Sequence, residues 1–454
     1  MDKEIEALTQ LAAEVVDRAK KGGADVAEAI ARSGSEMSTK VRLGEPELVE
    51  EAAYRGLGMR IIKQGRVALT STSDLTPRGI DRFVKDALEL VDISQEDKFA
   101  GPADPALISS GPWADLDLYD PAGGEVTAAE AIELSKRGEK AAQGFDPKIT
   151  NSDGATFGRT AGAFALVLSG GFRAGYAGSY ASLSVRPVAE DEGGKKRLGY
   201  HYTAKRQLGA LDSPEEVGKE AARRTLRKLG AKKVPTCEAP VVFDPDAARS
   251  IVGLLAGTVM GSSIWRKSSY LAGREGTQVA SDLITIVDDP LIARAPGSRP
   301  FDGEGLVSRK NVVVEKGILK TYLFDSYSGR KMGRASTGSA SRGGSGGVGP
   351  SISNFILQPT STPAAEIIKS TKRGLYVTEM MGFGFNAVTG DFSRGAAGFW
   401  IEDGELAYPV SEITISLNVD DLWKRVDAVG DDLDLRSSVA SPTLRVSSMT
   451  IGGS

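Results

Sequence analysis

The side chains that most enzymes use for nucleophilic or metal-assisted chemistry are scarce in this sequence. Its 454 residues include one histidine, His201, and one cysteine, Cys237. A catalytic zinc ion takes three protein ligands drawn mostly from His, Cys, Asp and Glu, so any zinc site here would consist mainly of carboxylates. The sequence therefore argues against a zinc enzyme. We expect His201 to be an ordinary strand residue and Cys237 to be an inert small side chain.

Two serine motifs also lack their partners. The stretch GGSGG, residues 343 to 347, matches the nucleophile elbow G-x-S-x-G, but a hydrolase of that type has its histidine after the serine, and His201 precedes it. Ser328 and Lys331 form an S-x-x-K pair, yet neither S-D-N nor K-T-G occurs in the chain. Neither motif predicts a serine hydrolase.

A third motif, GSGGVG at residues 344 to 349, matches the dinucleotide-binding pattern G-x-G-x-x-G. That pattern needs a preceding strand and a following helix, whereas Pro350 and the strand-like SISNFILQP follow here. We therefore expect a flexible loop. Carboxylate clusters at residues 288–289, 420–421 and 431–434 have the oxygen ligands that Mg²⁺ or Ca²⁺ prefers, but Asp at turns and helix starts usually acts as a cap.

Composition limits the partners. The 56 basic and 60 acidic residues give a net charge of −4, which argues against a general nucleic-acid-binding surface. No apolar run approaches the roughly 18 residues of a membrane span, and the N-terminus predicts an amphipathic helix rather than a signal peptide. A single cysteine allows no internal disulfide, so we expect a cytoplasmic protein that contacts neither membrane nor nucleic acid.

The first domain, residues 1–232, alternates helices with antiparallel strands. The stretches ADVAEAIARSG and EMSTKVRLG predict two strands, and GLGMRIIKQGRVALTSTSD predicts a hairpin turning at Gln64-Gly65. A helix is predicted over residues 76–91, with Ser73 or Asp74 as its cap, and another over 214–229, capped by Ser213.

The second domain, residues 233–454, begins within the basic, linker-like segment GAKKVPTCEA, residues 230–239. It opens with a buried strand and a helix capped by Asp244, and it continues with hairpins at Lys316-Gly317 and Asp403-Gly404. Short helices are predicted in TPAAEIIKSTKRG and NVDDLWKRVDAVG. The sequence thus predicts an α+β fold of two mixed domains, each with a largely antiparallel sheet and packed helices.

The helix that opens the second domain raises a functional question. Its stretch SIVGLLAGTVMGSS, residues 250 to 263, has apolar side chains at three- and four-residue spacing but no carboxylate, imidazole, amine or thiol. Many enzymes keep their chemistry where a strand feeds a helix. Here the pattern predicts packing alone.

The second domain resembles the TldD/PmbA family, also called modulator of DNA gyrase proteins. The resemblance extends over nearly the whole domain, and the N-terminal pattern is compatible with it. The matching segments occur in the family order and are APVVFDPDAAR with its helix, GTQVASDLITIVDDP, FDGEGLVSRKNVVVEKGILKTYLFD, GLYVTEMMGFGFNAVTGDFSRGAAGFWIEDGELAYPV, VGDDL and SPTLRVSSMTIGG.

Within that family the TldD branch is a zinc metallopeptidase with H-E-x-x-x-H on a helix and a further Cys ligand near the C-terminus. This chain departs from the pattern at both places, since the matching helix is SIVGLLAGTVMGSS and the C-terminal LRSSVASPTLRV lacks Cys. The sequence is therefore similar to the TldE (PmbA) branch. This resemblance implies no catalytic residue, no metal ligand and no cofactor in this chain, with zinc only in the partner subunit.

The same resemblance implies a cytoplasmic heterodimeric peptidase with a TldD-type subunit. Together the two subunits would degrade unfolded peptides and help mature a modified microcin precursor. The alternative hypothesis is a stand-alone protein, a homodimer, that binds peptides or another ligand. An enzyme of unrelated mechanism, relying on the carboxylate pairs, is the third alternative.

Two glycine-rich segments, residues 337–349 and 382–398, are the candidate contacts for a peptide or the partner. Neither has the apolar periodicity of a core element, and so many glycines are costly unless backbone must move or approach something closely. We expect their exposed backbone groups to pair with an extended peptide, unless they are plain surface loops. The candidate residues are Arg342, Gly343, Gly344, Gly346, Gly347, Phe383, Phe385, Asn386 and Arg394.

Overall fold

The structure, a computed structural model, describes residues 1–453. None of the helices in this range has the length and apolar character needed to cross a membrane. The helices are α1 (Asp2–Lys21), α2 (Pro77–Ile93), α3 (Pro121–Glu125), α4 (Ala128–Gln143), α5 (Pro214–Leu226), α6 (Pro245–Thr258), α7 (Gly261–Trp265), α8 (Ser326–Lys331), α9 (Ala364–Lys369) and α10 (Val419–Lys424).

Twenty strands accompany the helices within residues 1–453. They are β1 (Val26–Arg42), β2 (Glu45–Lys63), β3 (Arg66–Thr72), β4 (Ile149–Leu168), β5 (Arg173–Glu190), β6 (Lys196–Leu198), β7 (His201–Lys205), β8 (Cys237–Phe243), β9 (Ile286–Asp288), β10 (Asn311–Glu315), β11 (Ile318–Leu319), β12 (Ala340–Arg342), β13 (Val348–Pro350), β14 (Phe355–Leu357), β15 (Arg373–Met381), β16 (Asp391–Glu402), β17 (Glu405–Asn418), β18 (Val426–Val429), β19 (Val439–Ala440) and β20 (Leu444–Gly452).

The N-terminal half forms one seven-stranded antiparallel sheet. Its strand order is β3-β2-β1-β4-β5-β6, with β7 also paired to β5. The hairpin predicted at Gln64-Gly65 is confirmed between β2 and β3. The prediction of two strands before Gly44 is wrong: β1 is one continuous strand, because Gly34 and its neighbours pair with β2 on one side and β4 on the other.

The two faces of this sheet have different neighbours. Ala27, Ala29 and Ala31 of β1 pack against α1 and α2, and the same face farther along carries α4 and α5. Because side chains alternate along a strand, Glu28 and Arg32 lie on the other face. That face is covered by the C-terminal half, so the sheet lies between its helices and the second half of the chain.

The C-terminal half has a six-stranded sheet of order β17-β16-β15-β8-β20-β18, in which β17 also pairs with β20. That extra pairing closes five strands into a ring. A five-stranded sheet, β11-β10-β9-β14-β19, and the small β12–β13 hairpin complete the half. With most neighbouring strands antiparallel and helices packed beside them, the α+β prediction is confirmed. The domain boundary at 232/233 stays a prediction.

Helix boundaries differ from the sequence prediction in several places. Ser213 and Asp244 cap their helices as predicted, but α2 is capped by Thr76, whose Oγ1 accepts from Gly79 N, and not by Ser73 or Asp74. The predicted helix through Ser263 is two helices. Gly261 N donates to Leu323 O, and Leu323 N donates to Val259 O, so a backbone bridge interrupts the helix there.

Candidate functional site

Helix α6 directly follows β8, at a strand end where many enzymes have catalytic or metal-binding residues. It packs against β8, β15, β14 and β19. Ile251, Val252 and Leu255 are buried in the main core of this half, and Leu254 packs partly against it. The helix thus contributes apolar side chains to the core.

The histidine and the cysteine of the chain lie on different sheets. His201 begins β7 and pairs with Val185, whereas Cys237 begins β8 and pairs with Ile451. Burial, together with Arg224 and Arg436, lowers the pKa of His201 to about 4, so the imidazole is neutral at pH 7. Neither residue lies on α6.

Zinc requires several ligands that converge on one point. From Met1 to Gly453 no three His, Cys, Asp or Glu side chains come together in an arrangement that could hold a metal ion. With one imidazole and one thiol on separate sheets, the donor set does not fit a zinc ion. We derive no reaction step through a metal in this chain.

The first glycine-rich segment forms the β12–β13 hairpin, where a flexible loop was expected. Its turn, Gly343 to Gly347, packs on β2: a methyl group on Gly58 would lie 2.1 Å from Gly344 O. Gly346 has a φ of +85°, and a methyl group there would lie 2.7 Å from the Met59 carbonyl carbon. The hairpin therefore docks the C-terminal half onto the N-terminal sheet.

Arg342, at the start of that turn, is fully engaged within the chain. Its Nη2 lies 2.7 Å from Glu28 Oε2, its Nε donates to Gly303 O, and its Nη1 donates to Gly346 O. A role toward a peptide carboxylate stays a prediction for Arg342. Any such peptide would have to compete with Glu28.

The second glycine-rich segment has an exposed tip. Phe383 is fully solvent-exposed. Phe385 packs partly against the core and forms an isolated backbone β-bridge with Phe392. Asn386 Oδ1 accepts from the N–H groups of Val388 and Thr389, so its side chain shapes the loop. This tip adjoins β15 and β16, in a different sheet from the first hairpin.

Arg394 lies on β16, half-buried, opposite Ile415. Within residues 1–453 its buried Nε has no hydrogen-bond partner, and burial lowers the pKa of the guanidinium. Of the nine candidate residues, Phe383 is the most open to a ligand. Whether these nine contact a peptide or the partner stays a prediction.

The face between the two halves holds a buried charge network that was not among the sequence predictions. Glu28 accepts from Arg342 and, at 2.9 Å, from Arg60. Burial alone would raise the pKa of Glu28, but the two guanidinium groups hold it below its ordinary value. A glutamate within the Ala-rich stretch of β1 was the available signal, because an isolated carboxylate there would be costly to bury.

A second set of buried carboxylates lies beside this network. Asp302, Glu304 and Asp325 are all buried, and the Ser326 backbone N–H and hydroxyl donate to Glu304 Oε2 at 2.8 and 2.7 Å. Burial, followed by the charges of Asp302 and Asp325, raises the pKa of Glu304 to about 7. The charges of Glu28, Glu304 and Asp325 all favour the charged form of Arg60, so this guanidinium links the two sets of buried carboxylates.

Three family models match the chain in consecutive ranges. Their descriptions are PmbA/TldA metallopeptidase domain 1 for residues 27–91, the central domain for residues 121–229, and the C-terminal domain for residues 236–453. A curated relative, the metalloprotease PmbA of Escherichia coli O157:H7, is 38% identical over 453 residues, which cover 99% of this chain and 98% of the relative.

Solved structures show the same fold. A proposed modulator of DNA gyrase from Bacteroides thetaiotaomicron superimposes with a TM-score of 0.91 at 29% identity, covering 98% of each chain. The TldE protein of Thermococcus kodakarensis superimposes with a TM-score of 0.87 over 98% of this chain and 100% of its own, and at 22% identity this likeness concerns the fold alone.

Proposed function

Because the chain belongs to the PmbA/TldD metallopeptidase family, we propose that it is the non-catalytic, TldE-type subunit of a cytoplasmic two-protein zinc peptidase. The observation that supports this most directly is helix α6. In the TldD branch the matching helix is expected to present the zinc ligands, whereas here its buried side chains are Ala, Ile, Val, Leu and Thr.

The proposed role is structural and substrate-directed. The chain would bind a TldD-type subunit, which holds the zinc ion, and would form part of the wall around an unfolded peptide. Zinc in that subunit would polarise the scissile carbonyl and activate water. Residues of this chain would orient the peptide, with Phe383 supplying apolar contact and the exposed backbone at Gly382 and Phe383 pairing with an extended strand.

A peptide held mainly through its backbone suits a peptidase with low sequence preference. Main-chain hydrogen bonds contribute affinity whatever the side chains are, and a few apolar contacts add the rest. The two glycine-rich segments offer backbone without bulky side chains, which is compatible with this role.

The proposal is tested by co-expression with the H-E-x-x-x-H homologue encoded in the same genome. We expect one stable complex on size exclusion, burying roughly 1,200–2,000 Å² or more. Zinc should co-purify with the homologue, and turnover of an unfolded peptide should require both chains.

Two results would overturn the proposal. Stoichiometric zinc in the isolated chain, lost in His201→Ala, would make it a metalloprotein in its own right. Two independent species at micromolar concentration, with a homodimer of this chain that binds peptide alone, would instead support the stand-alone binding protein.

A further inference from the structure

A cavity of about 400 Å³ lies between the two halves of the chain. One wall comes from the face of the N-terminal sheet that carries Arg32 and Tyr176. The opposite wall is formed by residues 299, 301–303 and 340–342 of the C-terminal half. Small-molecule sites commonly have volumes of roughly 300–1,000 Å³, so the cavity can hold a compact ligand.

Two arginines of this cavity have no carboxylate partner among residues 1–453. Arg32 donates through Nη2 to the carbonyl of Arg342 at 2.6 Å, and Arg299 reaches only Ser351 Oγ, at 3.5 Å. In the described part of the chain, Nε and Nη2 of Arg299 are buried without any hydrogen-bond partner. Burying an unpaired guanidinium is costly, so an anion in the cavity would be strongly attracted.

The carboxylates near Arg299 are occupied by backbone groups. Asp302 accepts through Oδ1 from Glu304 N and Leu306 N, and through Oδ2 from Ala340 N. Asp288 Oδ1 accepts from Ser353 N at 2.6 Å. These groups offset the Arg299 charge from a distance, but neither forms an ion pair with it.

The positive charges converge near one phenol. Arg299, Arg206 and Arg32 all lie near enough to the Tyr176 hydroxyl to favour its ionised form, although burial raises the pKa of Tyr176 overall. Arg206 itself donates to the carbonyls of Ala295 and Pro296. Part of the cavity is therefore cationic.

The rest of the lining is apolar and aromatic. Phe301 of the C-terminal half inserts among side chains of the N-terminal half, with ring centroids 5.5 Å from Tyr176 and 6.2 Å from Phe164. Ile30 lies on the same wall. A ligand that fits this lining has an apolar body and one anionic end.

We propose that this interdomain cavity binds a carboxylate attached to an apolar or aromatic group, such as the C-terminal residue of a peptide. Arg299 and Arg32 would attract the carboxylate, while Phe301 and Phe164 would contact the side chain. The choice of a peptide as the source rests on the proposed function. The binding itself is measured on the isolated chain, so failure to assemble with a zinc subunit and failure to bind a carboxylate are separate results.

The experiment is isothermal titration calorimetry of the full chain with three probes: N-acetyl-phenylalanine, its amide, and inorganic phosphate. We expect saturable binding of the carboxylate and at least tenfold weaker binding of the amide. Arg299→Met should weaken carboxylate binding by about tenfold or more, as expected for loss of a buried charge-assisted contact. Arg299→Lys should keep most of the affinity, because it keeps the charge.

Arg137→Met serves as the control, since Arg137 is exposed and pairs with Glu215 outside the cavity. Melting curves identify any variant that fails to fold. If Arg299→Met does not fold, the titration of Arg299→Lys decides the result. Equal binding of acid and amide, unchanged affinity in Arg299→Met, or stronger binding of phosphate than of the carboxylate would each overturn the proposal.

Discussion

Arg342 of the C-terminal half and Glu28 of the N-terminal half form an ion pair 2.7 Å long, in which the side chains are 2% and 3% exposed. Arg60 completes the arrangement by donating to the same Glu28 oxygen. A charge pair this deeply buried is held by its mutual hydrogen bonds, because either partner alone would remain desolvated without compensation. The network therefore fixes how the two halves of the molecule meet.

Removing one member of this pair should destabilise the protein strongly. We expect Arg342→Met or Glu28→Gln to lower the free energy of unfolding by about 3–5 kcal/mol, measured by urea denaturation. The double variant should lose less than the sum of the two single changes, because neither Arg342 nor Glu28 is then left buried without the other, although Arg60 still loses its pairing with Glu28.

Arg137→Met is the matched control for that experiment, because Arg137 and Glu215 form an exposed pair. We expect it to change stability by less than about 1 kcal/mol. Similar small effects at Arg342 and at Arg137 would show that the interdomain pair does not hold the halves together.

Asp244, the buried cap of α6, should make stability depend on pH. Burial raises its pKa from 3.8 to about 7, and Asp246 and Glu379 contribute in the same direction. A carboxyl with a raised folded pKa stabilises the fold below the unfolded value, and this contribution is lost as the pH rises through 7. Asp244→Asn should therefore be more stable than the wild type at pH 8, by on the order of 4 kcal/mol, and nearly equal to it at pH 4.

Asparagine caps helices about as well as aspartate, so the change isolates the charge. Asp104→Asn, at an exposed cap, provides the control in the same urea titrations. If Asp244→Asn follows the wild-type pH dependence from pH 4 to 8, the Asp244 carboxyl does not titrate as described.

Much of the fold could be predicted from local sequence signals. Caps at Ser213 and Asp244 and the turn at Asp403-Gly404 are short-range features, and all three occur as predicted. The apolar spacing of α6 likewise marked a core helix. Such features depend on hydrogen bonds and side chains within a few residues of one another.

The features that could not be predicted from the sequence are those set by contacts between residues far apart in the chain. The break between α6 and α7 depends on Leu323, more than sixty positions away in sequence, and the docking of Gly346 depends on Met59. The cavity requires two halves of the chain to meet with Arg32 and Arg299 on facing walls. No spacing rule within one segment indicates such a pairing.

Leu255 tests whether α6 serves the core. It is 1% exposed, so Leu255→Ala should reduce the free energy of unfolding by about 2–5 kcal/mol. Leu254→Ala, at a partly buried position on the same helix, should cost less. Loss of peptidase activity in the complex without loss of stability at Leu255 would point to a direct role of the helix in the reaction.

The outer edge of β2 is the surface that we expect the partner subunit to cover. Residues 45–55 pair with β1, whereas β3 pairs with β2 only from Leu57 onward. Leu48 and Val49 are exposed there, and a long open edge with apolar side chains invites pairing with another chain.

Replacing both residues by lysine, Leu48→Lys with Val49→Lys, should weaken assembly by at least about fivefold without lowering the melting temperature. Ile93→Lys, an exposed apolar position at the end of α2, should assemble normally. Equal assembly of both variants in analytical ultracentrifugation would place the partner on another surface.

The glycine-rich segments provide the last prediction, and the structure decides which glycines can be changed. Gly343, Gly344 and Gly347 each have room for a methyl group, whereas Gly346 does not. We expect the triple alanine variant at these three positions to assemble and melt normally while peptide turnover by the complex falls.

Phe383→Ser and Arg394→Ala, made separately, should each reduce turnover by about fivefold, the size of one contact worth 1 kcal/mol. Leu90→Ser, an exposed apolar position on α2, is the control for Phe383→Ser. Unchanged turnover in all three variants would show that these segments have no role in peptide binding.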